Sequence, residues 1–145
     1  MLCQLPLMGS TDKARASIRI VIADDHPIFR EGLIKLLETK PDLLVVGAAA
    51  DGDDAMKLVA ELEPELLLLD LAMPRMGGLE LCKTVAAERP GIKVLTMSGA
   101  LRGREQLLTS GLPFLQKPFT LAALRDSIEA LLGPQSRLAM MATDQ

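Results

Sequence analysis

The chain has 145 residues, 49% of them apolar, with three aromatic side chains, all Phe, and a formal net charge of −3. That is the length of one ordinary domain, whose core must be built from Leu, Ile, Val, Ala and Met. The absence of a dense Lys and Arg run argues against direct nucleic-acid binding, no run reaches the length of a membrane span, and Cys3 and Cys82 suggest neither a disulfide framework nor a metal cluster, which fits a reduced, cytoplasmic setting.

The opening MLCQLPLM lacks the basic start and the length of an exported segment, and residues 1–17 read as a flexible leader before the first strand. Ile18 to Ala23 is the first strand. Pro27 then starts a helix through about Thr39, with Ile28, Leu33, Leu36 and Leu37 expected inward. Leu43 to Ala49 is the second strand, and a turn at Asp51-Gly52 leads to a helix from about Asp53 to Leu62 with Ala55, Leu58, Val59 and Leu62 on one face. Leu66 to Leu69 is the third strand, apolar at every position and so expected at the centre of a parallel sheet.

After Asp70 a loop rich in Met, Pro and Gly leads to a helix from about Gly78 to Arg89, and Lys93 to Met97 is the fourth strand. Between Ser98 and Phe114 there is room only for a short helix around Arg104 to Thr109. Phe114 to Gln116 is a short fifth strand. Thr120 is expected to cap a last helix that runs to about Leu132 and stops at Gly133-Pro134, before a flexible tail over 134–145. Five strand-helix repeats indicate an α/β fold, a doubly wound parallel sheet covered on both faces, with the domain spanning 18–133.

Asp24, Asp25, Asp70 and Lys117 each follow an apolar strand, and the carboxyl ends of parallel strands are where such folds place chemistry. Asp70 is the candidate nucleophile, because a carboxylate at a strand end can attack phosphorus. Three carboxylates within reach of one another repel, and Mg2+ relieves that repulsion through oxygen ligands. Asp25 and Asp70 are expected to touch the ion, with Asp24 close by through water. Lys117 offers a compact positive charge for a phosphoryl oxygen, or for Asp70 when the site is empty. Ser98 supplies a hydroxyl, and Gly99 leaves space beside it. His26, a lone histidine before proline, reads as a surface turn residue. Met73, Met76 and Met97 read as gap-filling core.

The stretches IRIVIADDHPIFREGL, LLLLDLAMPRMGGLEL, KVLTMSG and FLQKPF together resemble the receiver domain of two-component response regulators, over about Arg19 to Leu132. The resemblance implies a five-stranded (βα)5 flavodoxin-like fold, here with a shortened fourth helix. It also implies an acidic pair at Asp24 and Asp25, a phosphoacceptor at Asp70, a switch hydroxyl at Ser98, the phosphate-facing lysine at Lys117 and a switch aromatic at Phe114. Mg2+ would also take the backbone carbonyl of Ala72. The phosphoryl group would come from a sensor histidine kinase or a histidine phosphotransfer protein, since His26 is the only histidine here, and a changed surface would then engage a downstream protein. At most self-catalysed phosphotransfer and autodephosphorylation are expected.

Ala72 and Ala100 flank the expected phosphoryl position with methyl groups that offer no hydrogen bond to a hydrolytic water. The short fourth helix resembles receivers fused to hybrid kinases, whereas DDHPIFREGL looks like regulators with a helix-turn-helix output. The shortened segment also weakens the expectation of a homodimer, which stays open. Two rivals stand beside this reading: a degenerate pseudo-receiver scaffold, and an aspartyl-nucleophile phosphohydrolase, which Ala72 disfavours because the general acid is missing two positions after Asp70.

Overall fold

The computed structural model describes residues 17–73, 78–99 and 113–132. Cys3, Met76, Ala100, the short helix expected around Arg104 to Thr109 and the Gly133-Pro134 stop lie outside the described residues. The described elements run in the order β1 (Ile18–Ala23), α1 (Pro27–Glu38), β2 (Leu43–Ala49), α2 (Gly52–Leu62), β3 (Leu66–Asp70), α3 (Gly78–Glu88), β4 (Lys93–Ser98), β5 (Phe114–Gln116) and α4 (Leu121–Leu132). The strands form one sheet in the order β2-β1-β3-β4-β5, and every neighbouring pair is parallel. This is the doubly wound, flavodoxin-like arrangement.

Strand alternation divides the core in two. Ile18, Ile20, Ile22, Leu66, Leu68, Leu95, Met97 and Leu115 face one way and pack on Leu33 and Leu37 of α1 and Leu124 and Ile128 of α4. Val21, Ala23, Leu67 and Leu69 face the other way and meet Ala55 and Val59 of α2 and Leu81, Cys82 and Val85 of α3, with Met73 alongside. All five residues of β3 are buried, as its unbroken apolar run requires of a strand covered on both faces.

Helix α1 corrects one expectation. Ile28 is 87% exposed and Leu36 also faces outward. The stripe that reaches the core is Leu33 and Leu37, one turn apart, with Phe29 and Ile34 packed against them. Ile28, next to Phe29 on the helix, is rotated about 100° off that stripe, since a helix turns once in 3.6 residues.

The helix ends follow local chemistry. Pro27 sits in the first turn of α1, where its missing N–H costs nothing. The Asp51 side chain accepts a hydrogen bond from Asp54 N–H at 2.9 Å, so the Asp51-Gly52 turn is also the N-cap of α2. Glu63 closes that helix in the left-handed region, with φ 45°. Thr120 Oγ1 accepts from Ala123 N–H at 3.0 Å and caps α4 as expected. Ser17, the last residue of the expected leader, is buried, and its hydroxyl donates to Pro41 O at 2.9 Å. No helix among the described residues is long and apolar enough to cross a membrane.

Candidate functional site

The order β2-β1-β3 places β1 and β3 side by side at the point where the chain reverses its direction of winding, the crevice where open α/β sheets bind ligands. Asp24 and Asp25 directly follow β1, Asp70 ends β3, Ser98 ends β4 and Lys117 directly follows β5. Four strand ends therefore deliver the candidate residues to one edge.

Asp24 is fully buried and is held from several sides. Its N–H donates to Ala49 O at 3.0 Å, and its backbone carbonyl accepts from the Arg30 guanidinium at 2.6 Å. Its Oδ1 accepts from the His26 backbone N–H at 2.8 Å and its Oδ2 from Lys117 Nζ at 2.8 Å. Burial pushes this carboxyl up, but the Lys117 ammonium and the His26 N–H together overcome that and leave its pKa below the ordinary value.

Asp70 differs. It is 1% exposed, and its Oδ1 accepts from Ala72 N–H at 3.1 Å. Its Oδ2 is buried without a hydrogen bond, 3.6 Å from Lys117 Nζ and 3.5 Å from His26 Nδ1. Burial, reinforced by the negative charge of Asp24, raises its pKa against the opposing pull of Ala72 N–H and Lys117. Asp25, more open, likewise carries an Oδ1 with no hydrogen bond. An anionic oxygen left this way in a low-dielectric pocket is costly unless a cation or an electrophile uses it.

Lys117 Nζ sits 4.0 Å from the centre of the Phe29 ring, a cation–π contact. Phe29 meets Phe119 edge-on at 5.9 Å and 82°. The Lys117 N–H donates to Ser98 O at 2.9 Å, and the Lys117–Pro118 peptide bond is cis. These contacts aim a flexible side chain. The expected pairing of Lys117 with Asp70 is present at 3.6 Å, while its hydrogen bond goes to the nearer Asp24 Oδ2 at 2.8 Å.

Ser98 is 2% exposed at the end of β4. Asp70 opens into a cleft of ≈ 720 Å³ whose walls include Ile28, Phe29, Ala72 and Gly99. A Cβ built on Gly99 would meet Lys117 Cβ at 3.7 Å, so a side chain there would narrow the mouth without a clash. Phe114, half-buried at the start of β5, lies at the opposite end of that strand from Lys117 and does not line the cleft. Met73 and Met97 are buried core, as expected. So is Cys82, whose thiol burial pushes up to about 11.

Sequence reasoning missed His26. Its side chain is 61% exposed, yet Nδ1 stands 3.1 Å from Asp24 Oδ1 and 3.2 Å from Asp25 Oδ1. The missed signal was position: a residue directly before a helix-starting proline is an N-cap, and its side chain can fold back over the preceding strand end. The ring makes no capping bond to α1, because it is turned toward the acids.

The family model for the response regulator receiver domain matches residues 20–129. The chain is 34% identical over 124 residues to the transcriptional regulatory protein LiaR of Bacillus subtilis, covering 83% of this chain and 59% of that protein. It is 38% identical over 81 residues to the response regulator GacA of Pseudomonas aeruginosa, covering 56% of this chain and 38% of that one. Among solved structures it is similar to a two-component response regulator of the LuxR family from Aurantimonas sp. SI85-9A1, with TM-score 0.71 and 31% identity over 80% of this chain and 85% of that one. The chain thus spans less than two thirds of the length of these curated relatives.

Proposed function

This chain belongs to the response regulator receiver family, and from that premise we propose that Asp70 accepts a phosphoryl group from a phosphohistidine of a partner protein. Response regulators receive phosphate from histidine kinases; the donor here is a sensor histidine kinase or a histidine phosphotransfer protein. The observation that carries the reading is Asp70 Oδ2, buried and without a hydrogen bond, on a residue that lines the cleft. In the transfer this oxygen attacks phosphorus, an O–P bond forms, the P–N bond of the donor breaks, and the imidazole leaves with the bonding pair. Such a leaving group needs little acid assistance, consistent with the methyl group of Ala72 standing where a hydrolase would place an acid.

The chain's own groups supply position and charge. Lys117, aimed by Phe29 and Ser98 O, lies close enough to exchange Asp24 for an oxygen of the incoming group. The Ser98 hydroxyl ends the neighbouring strand and would bond another. Ala72 N–H holds Asp70 Oδ1 and leaves Oδ2 without a hydrogen bond. Asp24, Asp25 and Asp70 fit Mg2+, because carboxylate oxygens are the hard ligands it prefers and Asp25 Oδ1 accepts no hydrogen bond. The Ala72 carbonyl is the backbone ligand we would add. The ion would neutralise charge that builds on the phosphoryl oxygens.

Part of the same proposal is a receiver over 18–133 with a leader over 1–17 and a tail over 134–145, supported by the match over 20–129. A phosphohistidine donor implies a cytoplasmic setting. Output through a protein contact, with Ser98 and Phe114 as the responsive pair, completes it. The test is intact mass after incubation with Mg2+ and a small-molecule phosphodonor. One phosphoryl adduct that requires both Mg2+ and Asp70 supports the proposal. An unmodified mass with both a small donor and a phosphorylated histidine protein would favour the scaffold reading, and steady turnover of a phosphate monoester would favour the hydrolase.

A further inference from the structure

Thr96 carries a buried hydroxyl that has no part in the transfer just described. It is 0% exposed on β4. Its neighbours Leu95 and Met97 face the core shared with α1 and α4. Strand alternation therefore turns Thr96 to the other side, where Val94 packs on the apolar cluster of α2 and α3. Valine has the same branched shape and would fill that place with no hydroxyl to desolvate. The hydroxyl of Thr96 donates to Pro113 O at 2.6 Å, a carbonyl that also accepts from the Thr96 backbone N–H at 3.2 Å.

The identity of residue 113 explains the doubled bond. Pro113 directly precedes β5 and has no N–H, so its carbonyl is the one backbone group with which it can bond the sheet. The strand that follows is short: Phe114, Leu115 and Gln116 pair with Thr96, Met97 and Ser98, where strands usually run to about five or six residues. Its other end is held by the Lys117 N–H on Ser98 O at 2.9 Å. Two residues of β4, Thr96 and Ser98, thus clasp the two ends of β5.

We propose that Thr96 is a positioning residue for Lys117: by clasping Pro113 it fixes where β5 lies along β4, and so where the ammonium beyond the end of β5 stands between the carboxylates. The margin is narrow. Nζ is 2.8 Å from Asp24 Oδ2 and 3.6 Å from Asp70 Oδ2, so a slide of the strand by a fraction of an ångström changes how that charge is shared. Thr96 is not among the residues that line the cleft, and it acts through the strand alone. The consequence for transfer rests on the roles proposed for Asp70 and Lys117; the positioning of the ammonium does not.

The chain's three phenylalanines make a specific test possible. The full chain labelled with 4-fluorophenylalanine gives three fluorine resonances, assigned by single Phe→Leu variants. The decisive one is Phe29, whose ring lies 4.0 Å from Lys117 Nζ and packs on the opposite face of the sheet from Thr96. In Thr96→Val the Phe29 resonance should move in the direction that Lys117→Met moves it, and in Thr96→Ser, which keeps the hydroxyl, it should stay at the wild-type position. Thr96→Ala makes the same comparison where valine disturbs the packing. In the mass assay with Mg2+, adduct formation should slow about fivefold in Thr96→Val, the factor that one net hydrogen bond is worth, and recover in Thr96→Ser. An unmoved Phe29 resonance in both hydroxyl-free variants, an equal shift in Thr96→Ser, or an unchanged adduct rate overturns the proposal. A missing adduct in wild type defeats the phosphoacceptor reading instead, while the Phe29 resonance still decides whether Thr96 positions the ammonium.

Discussion

Two clusters of buried charge lie at opposite ends of the sheet, and they are built on different principles. At the end where β2 begins, Asp42 is 2% exposed and faces a single Arg125 from α4, with NH1 donating to Oδ1 at 3.2 Å and NH2 standing 3.1 Å from Oδ2. One acid meets one guanidinium, hydrogen-bonded through Oδ1 and ion-paired through Oδ2, which accepts no hydrogen bond. At the other end, Asp24, Asp25 and Asp70 share Lys117 and a histidine. A balanced pair is a fastening, whereas an excess of carboxylate is the charge pattern that suits a hard cation.

The sharpest way to break the comparison is to remove one cation from the balanced end. Arg125→Met should strand Asp42 and cost about 3 kcal/mol of stability, the usual result of leaving a buried charge uncompensated. Urea unfolding with an unchanged m-value would show it, and a loss under about 1 kcal/mol would mean that water already serves Asp42. Satisfying the other end comes next. Mg2+ at a hundred times its Kd should stabilise wild type by about 2.7 kcal/mol through mass action, and thermal unfolding of Asp25→Asn should respond far less.

Removing a charge from the overloaded end should do the opposite of removing one from the balanced end. Asp70→Asn should stabilise the metal-free protein at neutral pH by about 1 kcal/mol, as mutations that relieve a strained functional site commonly do. The sign follows from its raised pKa: the folded protein holds the Asp70 proton more tightly than the unfolded chain, so ionisation costs stability as pH rises through that window. The advantage of the variant should therefore fade as pH falls toward the unfolded carboxyl value of about 3.9. Asp24 has the reverse sign. Its lowered pKa means that its contribution is present at neutral pH and is lost on acidification. Parallel pH–stability curves for wild type and Asp70→Asn would contradict this assignment. The smallest effect is expected for Phe29→Leu, which removes the face under Lys117 and should cost about 0.5–1 kcal/mol, read by chemical denaturation.

Much of this was legible in the chain before folding. Uninterrupted apolar runs ending in Asp70 or preceding Asp24 marked buried strands and the ends at which the acids gather, because a parallel strand covered on both faces has no polar side to show. The phase of α1 was not legible from composition: Ile28 is as apolar as Phe29, and only the direction in which Pro27 launches the helix decides which of them turns inward. The Asp42 and Arg125 pair, 83 residues apart, carries no local signature at all. Nor could sequence choose between Asp24 and Asp70 for Lys117, since that choice depends on differences of less than an ångström between 2.8 and 3.6 Å. His26 was undervalued because a single imidazole means little until three carboxylates are seen around it.

The bond between Lys117 and Asp24 spans 93 residues of sequence, and it crosses the sheet from the three-residue edge strand β5 to β1, passing over the ends of β4 and β3. It works as a guy line, tying the least anchored strand of the sheet to one of the most deeply embedded. Any anion that captures the ammonium slackens that line, so the amide protons of Leu115 and Gln116 should exchange at a rate that reports what the distant carboxylates hold.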